Sequence, residues 1–213
     1  MKNQKIPSLL EALLSYGLTV KELKELSFES GLNKSLKNSL SKFDKEDIFE
    51  DCTNVRVFYN NNDLLEELDL EYRIKSKHST AIKYAKSKGD SPVDKILNDL
   101  FGMRIVVDSY EPFLQKEEMF RSVDMRNGKA NDDGYRGLHL YFQIDRKHYP
   151  IEIQINTFFD RQLNNWLHAY TYKKGYPNIV GKIIREKYEN GIIHSEYTFR
   201  KELADVLSSS KGF

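Results

Sequence analysis

The chain has 213 residues, of which 39% are hydrophobic and 31% charged, and its formal net charge at pH 7 is +1. These values are ordinary for a soluble globular protein with a sizeable hydrophobic core. Cys52 is the only cysteine, which excludes an internal disulfide and favours a reducing compartment. No stretch approaches the roughly 18 apolar residues of a membrane span, and no signal-like apolar run opens the chain, so we expect a cytoplasmic protein without a membrane partner.

Three segments follow from the pattern of apolar residues. Residues 1–69 are acidic and carry leucines at helical spacing, so we predict a helical attachment; within it, Val55–Tyr59 fits either a strand or a piece of helix. Residues 70–175 contain the alternating patterns of strands and form the predicted core. Residues 176–213 are predicted to form helices rich in Lys and Arg.

The start of the core carries a cluster of cations. Residues 72–75 fit a short strand, and residues 79–88 fit a helix that Gly89 ends. These two elements present three cations and one hydroxyl group, namely Arg73, Lys75, Lys83 and Ser79. Such a cluster could cradle a polyphosphate. Ser79 alternatively caps the helix at its start.

An acidic residue, Asp99, comes next at the boundary between two predicted elements. It lies near the end of a short helix or turn predicted over 93–100 and precedes a buried strand that runs to Asp108. Carboxylate oxygens suit Mg²⁺, which proteins commonly hold with one or two carboxylates together with substrate phosphates. A structural role for Asp99, as a cap of the helix or turn, is the alternative.

Two later segments, 137–144 and 151–157, alternate apolar and polar residues as strands do. If Ile144 pairs with Tyr149, the two strands form a hairpin that places four polar side chains on one face: His139, Tyr141, Glu152 and Gln154. A carboxylate held on a rigid strand among such groups is a good foundation for a reaction centre. The alternative is an antiparallel sheet whose polar face is simply solvated.

Two further residues could contact a ligand. The polar segment 109–133 is predicted to be a turn-rich loop, and Tyr135 at its end could stack on a nucleotide base or simply pack. The segment 158–173 is predicted to be a helix, and His168 lies on the side opposite its apolar face. His168 could contact the cleft or serve a structural purpose.

Taken together, the motifs resemble the synthetase domain of the RelA/SpoT family over about residues 70–175. The family's ATP-binding segment resembles Arg73-x-Lys75-x3-Ser79-x3-Lys83, and its metal-binding turn resembles Asp99-Leu100-Phe101-Gly102-Met103-Arg104-Ile105. Its acceptor loop and catalytic strand resemble Gly134-Tyr135-Arg136-Gly137-Leu138-His139 and Ile151-Glu152-Ile153-Gln154-Ile155. The helix that follows in the family resembles the segment with His168, Tyr172 and Lys173.

The resemblance implies an α+β fold, with a mixed β-sheet flanked by helices and related to nucleotidyltransferases. It implies a pyrophosphokinase that moves the β,γ-pyrophosphoryl group of ATP to a ribose 3′-hydroxyl. Asp99 and Glu152 would hold Mg²⁺, and Glu152 would act as the base. The implied ATP-binding residues are Arg73, Lys75, Ser79, Lys83 and Arg104. The implied acceptor-binding residues are Tyr135, Arg136, His139, Gln154 and His168.

Departures from the family pattern bear on the acceptor. Members that make guanosine alarmones carry a helix and a strand, with a Lys-Asp-Tyr sequence, before the Gly-Tyr loop; the interval 108–134 is predicted to be too short for both, and it lacks Lys-Asp-Tyr. Gly137 replaces the usual serine and Asn156 the usual arginine, while Asp132 and Asp133 lie just before the loop. Added carboxylates and missing cations should weaken binding of a 5′ di- or triphosphate.

This pattern resembles the toxic small alarmone synthetases, which pyrophosphorylate the 3′ terminal adenosine of tRNA. The resemblance implies the tRNA 3′ CCA end as acceptor and an antitoxin protein as partner, with GDP or GTP as the alternative acceptor. Basic residues that could meet the tRNA backbone are Lys173, Lys174, Lys182 and Arg185. A non-catalytic nucleic-acid-binding module is the alternative from another class, although it would have no chemical reason to keep both Asp99 and Glu152.

Overall fold

The computed structural model describes residues 6–87 and 89–209. Five strands lie within these residues: β1 Glu71–Ile74, β2 Phe101–Val107, β3 Phe120–Asp124, β4 Leu138–Phe142 and β5 Ile151–Thr157. The first helices are α1 Leu9–Leu14, α2 Val20–Glu25, α3 Lys45–Asn60, α4 Leu64–Glu67, α5 Lys77–Lys86 and α6 Val93–Ile96. The later helices are α7 Phe158–Tyr170, α8 Asn178–Glu189 and α9 Glu196–Ser209. Short 3-10 turns occupy Leu40–Lys42, Glu111–Leu114 and Tyr172–Lys174.

The strands form one mixed sheet in the order β1-β2-β5-β4-β3, which confirms the predicted α+β class. Strand β1 pairs antiparallel with β2, so that Arg73 lies opposite Gly102 and Glu71 opposite Arg104. Apolar side chains of β2 and β5 are buried, as their alternating patterns predict. The segment that resembles the family's metal-binding turn leads into β2, and the segment that resembles its catalytic strand is β5. These two strands are direct neighbours in the sheet.

The described residues form two compact units. The first contains the described residues up to Ile105, together with Tyr110–Ser122 and His139–Gln154. The second contains Val106–Ser109, Val123–Leu138 and the described residues from Ile155 onward.

The N-terminal helices are part of the first unit, so the predicted boundary between residues 69 and 70 does not separate two units. Helix α3 includes Val55–Tyr59, which decides between strand and helix for that segment. The ring of Tyr59 stacks on Phe101 of β2 with a centroid distance of 4.0 Å. The Asp51 carboxylate on α3 accepts a hydrogen bond of 2.8 Å from the Tyr149 hydroxyl. These aromatic and buried polar contacts attach the acidic first third to the core of its unit.

The predicted pairing of Ile144 with Tyr149 is wrong. Strand β4 ends at Phe142, Ile144 is exposed, and the Tyr149 N–H donates to the carbonyl oxygen of Phe28 at 3.1 Å. The N-terminal segment therefore takes the backbone partner that the hairpin would have used. The polar face survives this change, because the Tyr141 hydroxyl still donates to Glu152 Oε1 at 3.0 Å.

The interval between Asp108 and Gly134 also contains more secondary structure than predicted. It contains strand β3, so the prediction of a turn-rich loop is wrong for Phe120–Asp124, while the helical part of the interval is a 3-10 turn over Glu111–Leu114 and not an α-helix. Strand β3 lies at the edge of the sheet and most of its residues are exposed or half-buried. An edge strand with few buried side chains leaves a weak apolar alternation, which explains why the segment resembles a loop.

In the second unit, α7, α8 and α9 share an apolar core formed by side chains at helical spacing, including Leu163, Leu167, Ile184, Phe199 and Leu203. Two glycines let the segment before β4 approach α8. A Cβ atom on Gly181 would lie 1.9 Å from the carbonyl oxygen of Asp133, and one on Gly134 would lie 2.2 Å from that of Gly181. Gly134 also has a φ of +85°, which glycine adopts without strain.

Candidate active site

Asp99 lies directly before β2 and is surrounded by cations. Its Oδ2 accepts a hydrogen bond of 2.7 Å from Lys75 Nζ, and its Oδ1 accepts one of 2.8 Å from Lys83 Nζ. Lys83 also donates to the Asn98 side chain at 2.8 Å. Burial alone would raise the pKa of the Asp99 carboxyl, but Lys83 and Lys75 outweigh burial and hold that pKa below its ordinary value. Asp99 is therefore an ionised carboxylate that shares its oxygens among several cations.

Strand β1 and helix α5 place these cations. Lys75 follows β1 directly, and its N–H donates to the carbonyl oxygen of Leu100 at 2.8 Å. Helix α5 begins at Lys77, with Ser76 as its cap, because the Ser76 hydroxyl accepts a hydrogen bond of 3.1 Å from the Ser79 N–H. Ser79 is therefore an exposed residue of the first turn and not the cap. The predicted end of this helix at Lys88 lies outside the described residues, and the described helix ends at Lys86.

Glu152 on β5 is almost fully buried and is held by three neighbouring side chains. The Tyr141 hydroxyl donates to Oε1 at 3.0 Å, His139 Nδ1 lies 3.0 Å from the same oxygen, and Gln154 Nε2 donates to Oε2 at 2.8 Å. Burial would raise the pKa of the Glu152 carboxyl, but the contacts with His139 and Gln154 outweigh burial and lower that pKa. The carboxylate is therefore ionised and rigidly oriented.

One guanidinium group spans the two carboxylates. Arg73 Nη2 lies 3.6 Å from Asp99 Oδ2 and 3.9 Å from Glu152 Oε2. Arg73 is the most exposed of the cations at this point, with 52% of its side chain accessible. Asp99 and Glu152 are 53 positions apart in the chain (152 − 99). In the structure, both carboxylates lie beside the guanidinium of Arg73. They therefore share a single site.

A cleft of about 240 Å³ opens beside Glu152 between β1, β2 and β5. Arg104 lines it, pairs through Nη1 with Glu71, and donates through Nη2 to Gln154 Oε1 at 3.2 Å. Gly102 leaves the space that Glu152 needs, because a Cβ atom on Gly102 would lie 3.3 Å from Glu152 Oε2. The sequence thus builds the cleft from a small residue, Gly102, opposite Glu152 of β5 and from arginines on β1 and β2.

The carboxylates of Asp99 and Glu152 fit a Mg²⁺ site in which the protein supplies few of the ligands. Among the described residues, no group of three or more His, Cys, Asp or Glu side chains could hold a metal by itself. Two ionised carboxylates that face one guanidinium are nevertheless a suitable pair of hard oxygen ligands when substrate phosphates complete the coordination. Asp99 and Glu152 would hold the ion.

The acceptor loop lies in the second unit, where Tyr135 is half-buried. Lys129 Nζ lies 4.9 Å from the centre of the Tyr135 ring, and the Tyr135 hydroxyl lies 3.5 Å from Asn156 Nδ2. A Cβ atom on Gly137 would lie 2.6 Å from Asn156 Nδ2 and 2.8 Å from the Tyr135 hydroxyl. Gly137 and Asn156, the two departures from the family pattern, are therefore packed against each other and against Tyr135.

Arg136 is buried and already has partners. Its guanidinium donates to both oxygens of the Asp132 carboxylate, at 2.8 and 3.1 Å. Its backbone carbonyl accepts a hydrogen bond of 2.7 Å from the Asn164 side chain. Burial would lower the pKa of Arg136, but Asp132 outweighs burial and raises it. The charge of Arg136 is thus neutralised inside the loop.

Arg185 corrects one of the sequence predictions. Its side chain is completely buried: Nη1 bonds Asp160 at 2.7 Å, Nε donates to the Gly134 carbonyl at 2.8 Å, and Nη2 donates to Asn164 Oδ1 at 3.1 Å. A buried guanidinium cannot reach the phosphates of a tRNA backbone, so the prediction for Arg185 is wrong. The other predicted basic contacts and His168 of α7 are exposed: Lys173, Lys174, Lys182 and His168.

Sequence reasoning missed two residues that contact side chains of the candidate site. Arg121, on β3, stacks over the ring of Tyr141 with its Cζ atom 4.0 Å from the ring centre. Asn98 orients Lys83 from the position next to Asp99. Neither residue carried a signal in the sequence, because residues 120–124 do not alternate as a strand does and nothing connects Asn98 with Lys83.

Comparison with protein families matches residues 72–177 to the region found in RelA / SpoT proteins. The chain contains a RelA/SpoT domain. The match spans the cation cluster, both carboxylates and the acceptor loop. It confirms the enzyme class inferred from the sequence, a pyrophosphokinase of the RelA/SpoT type.

Solved structures give further similarities at low sequence identity. Small alarmone synthetase 1 from Bacillus subtilis, bound to its product pppGpp, is 19% identical over 77% of this chain and 90% of that chain, with a TM-score of 0.43. Small alarmone synthetase 2 from Bacillus subtilis is 20% identical over 76% and 95%, with a TM-score of 0.41. A GTP pyrophosphokinase family protein from Streptococcus pneumoniae is 22% identical over 67% and 77%, with a TM-score of 0.39. No curated protein sequence matches the chain.

Among the described residues, no helix combines the length and the apolar composition that a bilayer crossing requires.

Proposed function

We propose that this RelA/SpoT domain transfers the β,γ-pyrophosphoryl group of ATP to a ribose 3′-hydroxyl, and that the acceptor is the 3′ terminal adenosine of tRNA. The observation that carries the chemistry is Arg73, whose guanidinium lies within 4 Å of both Asp99 and Glu152. Pyrophosphoryl transfer depends on alignment and charge neutralisation more than on covalent catalysis. A pair of carboxylates beside several cations supplies both.

The cations around Asp99 form the proposed ATP site. Lys75, Lys83 and Arg73 place three positive charges on one carboxylate, so the cluster has a positive excess that an anionic ligand can neutralise. Arg104 adds a guanidinium on the wall of the neighbouring cleft, and Ser79 presents an exposed hydroxyl on the first turn of α5. Magnesium, when bound, would neutralise phosphate charge beside Asp99 and Glu152.

Glu152 is the proposed base. Its lowered pKa keeps the carboxylate ionised at neutral pH, and its three hydrogen-bonding neighbours hold it in one orientation. An ionised, oriented carboxylate can accept the proton of an attacking ribose hydroxyl. His139 and Gln154 also lie at this point, where they can orient the acceptor ribose as well as Glu152.

The charge balance of the acceptor loop supports tRNA over a nucleoside polyphosphate. Arg136 is committed to Asp132, and Lys129 Nζ lies 2.7 Å from Asp133 Oδ2, so these two cations are matched by the two carboxylates just before the loop. A 5′ di- or triphosphate gains little from a neutral loop, whereas a terminal adenosine needs only its ring and its 3′-hydroxyl. Tyr135 would stack on the adenine.

The wider partners follow from this acceptor. The exposed lysines at the end of α7 and on α8 would contact the tRNA backbone, namely Lys173, Lys174 and Lys182. His168 is exposed on α7 and would join the acceptor side. An enzyme that blocks tRNA charging is toxic to its own cell, so a neutralising antitoxin in the cytoplasm is the expected partner.

A guanosine nucleotide is the second candidate acceptor, giving a small alarmone synthetase that makes (p)ppGpp from GDP or GTP. One observation favours it. The interval before the acceptor loop contains a 3-10 turn and strand β3, which resembles the helix and strand expected of guanosine alarmone makers.

Transfer of label from ATP labelled at its γ-phosphate tests the proposal, with tRNA, GDP and GTP offered separately. We expect label in tRNA, and none in tRNA whose terminal ribose has been oxidised with periodate, because that treatment removes the 3′-hydroxyl. Label in GDP or GTP but never in tRNA would refute the tRNA acceptor and support the second candidate. No transfer to any acceptor would favour the non-catalytic binding module.

A further inference from the structure

A second cleft, of about 210 Å³, is lined by Tyr141 but not by Glu152 and belongs entirely to the first unit. The ring of Tyr141 lines this cleft, while its hydroxyl donates to Glu152 Oε1 at 3.0 Å. Any group bound in the cleft is thus separated from the proposed base by one side chain. None of the roles assigned above uses this cleft, which we call the Tyr141 cleft.

The wall of the Tyr141 cleft contains the buried carboxylate of Asp94. Asp94 is 4% exposed, and its Oδ2 pairs with Lys37 Nζ at 2.6 Å. Among the described residues, Asp94 Oδ1 has no hydrogen-bond partner. A buried carboxylate oxygen without a donor is costly, so this position favours a ligand that brings an N–H or O–H group. Lys37 is 61% exposed, so its side chain can move aside and open Asp94 to a ligand.

The rest of the cleft suits a nucleotide. Lys95 and Arg121 add positive charges that can meet a phosphate, although Glu118 also lines the cleft. The Arg121 Cζ atom lies 4.0 Å from the centre of the Tyr141 ring, so two planar groups that can stack on a base lie together in the wall of the cleft. Met119 and Pro150 add apolar surface. The cleft therefore combines a planar wall, cations for a phosphate and one buried acceptor for a base edge.

We propose that the Tyr141 cleft binds the cytidine that precedes the terminal adenosine of tRNA, an inference that rests on the proposed tRNA acceptor. The exocyclic amino group of cytosine donates to carboxylates, so it can satisfy Asp94 Oδ1. Uracil presents a carbonyl oxygen at the same position, which a carboxylate repels. The place of the cleft, one side chain from the base that deprotonates the terminal ribose, matches the place of the penultimate nucleotide.

The experiment compares RNA minihelices that end in CCA with otherwise identical ones that end in CUA. Label transfer from ATP is measured as kcat/KM for each, with the wild-type protein and with Asp94→Asn. We expect the wild type to prefer CCA by about tenfold or more, the usual discrimination of a good base contact. The Asp94→Asn variant should lose this preference, because an amide can donate to the uracil carbonyl. Asp69→Asn, an exposed change outside the cleft, should keep it.

The outcomes separate this inference from the proposed function. Absence of label in every minihelix, with label in GDP or GTP, refutes the tRNA acceptor itself. Equal labelling of CCA and CUA by the wild type overturns the cytidine site while the tRNA acceptor stands. A preference for CCA that persists in folded Asp94→Asn overturns the role of Asp94.

A second variant serves if Asp94→Asn does not fold. Arg121→Gln changes an exposed side chain and should raise KM for both minihelices several-fold while the CCA preference is kept, because it removes a phosphate contact and not a base contact. An unchanged KM would contradict phosphate binding in the cleft.

Discussion

Two clusters of arginine and lysine in this protein differ in what surrounds them. Around Asp99, three cations converge on one carboxylate, and their side chains are 12%, 33% and 52% exposed for Lys75, Lys83 and Arg73. Around the acceptor loop, Arg136 and Arg185 are buried and bonded to carboxylates and backbone oxygens. The first cluster has a surplus of positive charge near solvent, whereas the second is neutralised internally.

A cation in a functional motif is therefore available to a ligand only if the fold leaves its charge unmatched. Arg73 and Lys83, the more accessible cations beside Asp99, can exchange that carboxylate for phosphate at little cost. Removing the buried guanidinium of Arg185 from Asp160 would leave a charge in the interior, which costs far more than a surface pair returns. The first cluster should therefore respond to mutation through catalysis and the second through stability.

The largest expected effect is on the shared site itself. Glu152→Gln should lower kcat by about 10²–10⁴-fold, because the amide keeps the shape of the side chain and can still accept from the Tyr141 hydroxyl but cannot accept a proton. Steady-state label transfer measures kcat, and circular dichroism checks the fold. Glu66→Gln on α4 is an exposed matched control that should leave kcat unchanged. A kcat within twofold of wild type in Glu152→Gln would exclude Glu152 as the base.

The buried arginine of the second cluster comes next. Arg185→Met should lower the free energy of unfolding by about 3–5 kcal/mol, because it leaves the Asp160 carboxylate without its guanidinium partner. Lys182→Met, three positions away on the exposed side of the same helix, should change the free energy of unfolding by less than about 0.5 kcal/mol. Urea unfolding measures both.

The same pair of variants separates stability from tRNA contact. Lys182→Met should weaken tRNA binding with a smaller salt dependence, whereas the folded fraction of Arg185→Met should bind tRNA as the wild type does. Filter binding at several salt concentrations measures this. Stronger loss of tRNA affinity in folded Arg185→Met than in Lys182→Met would restore the role that its burial contradicts.

A smaller effect is expected where Gly137 meets Asn156. Gly137→Ser should destabilise the protein by about 1–3 kcal/mol, because a Cβ atom there would lie 2.6 Å from Asn156 Nδ2. Asn156→Ala in the same chain should recover part of the loss, since it opens the space that the serine needs. A double-mutant cycle by thermal unfolding measures the coupling. Additive losses would show that the two positions do not share this space.

The smallest effect concerns pH. The folded-state pKa values of Asp99 and Glu152 are lowered, so their contribution to stability is complete above the ordinary carboxyl pKa of about 4 and is lost as pH falls through the lowered folded values. Lys83→Met should bring the pKa of Asp99 closer to its ordinary value and flatten this decline. The free energy of unfolding between about pH 5 and pH 3 measures the slope. An equally steep decline in Lys83→Met would contradict the assigned cause.

Local patterns predicted much of this molecule. The strand around Glu152, the buried strand after Asp99 and the helices from Phe158 onward follow from spacing alone, because their apolar side chains are buried in the sheet or the helical core. The polar face shared by Tyr141 and Glu152 also follows from alternation. Edge strand β3 did not, because few of its side chains are buried and the alternation is correspondingly weak.

The residue types and their order along the chain predicted the groups of the candidate site. These groups are two acidic residues, a set of cations and a glycine-tyrosine loop. Which of those charges are available was a matter of tertiary structure. Arg185 and Lys182 look alike in sequence, yet one is sealed among Asp160, Asn164 and a backbone oxygen while the other faces water. Burial and partner choice arise from contacts between distant segments, and spacing along one segment does not encode them.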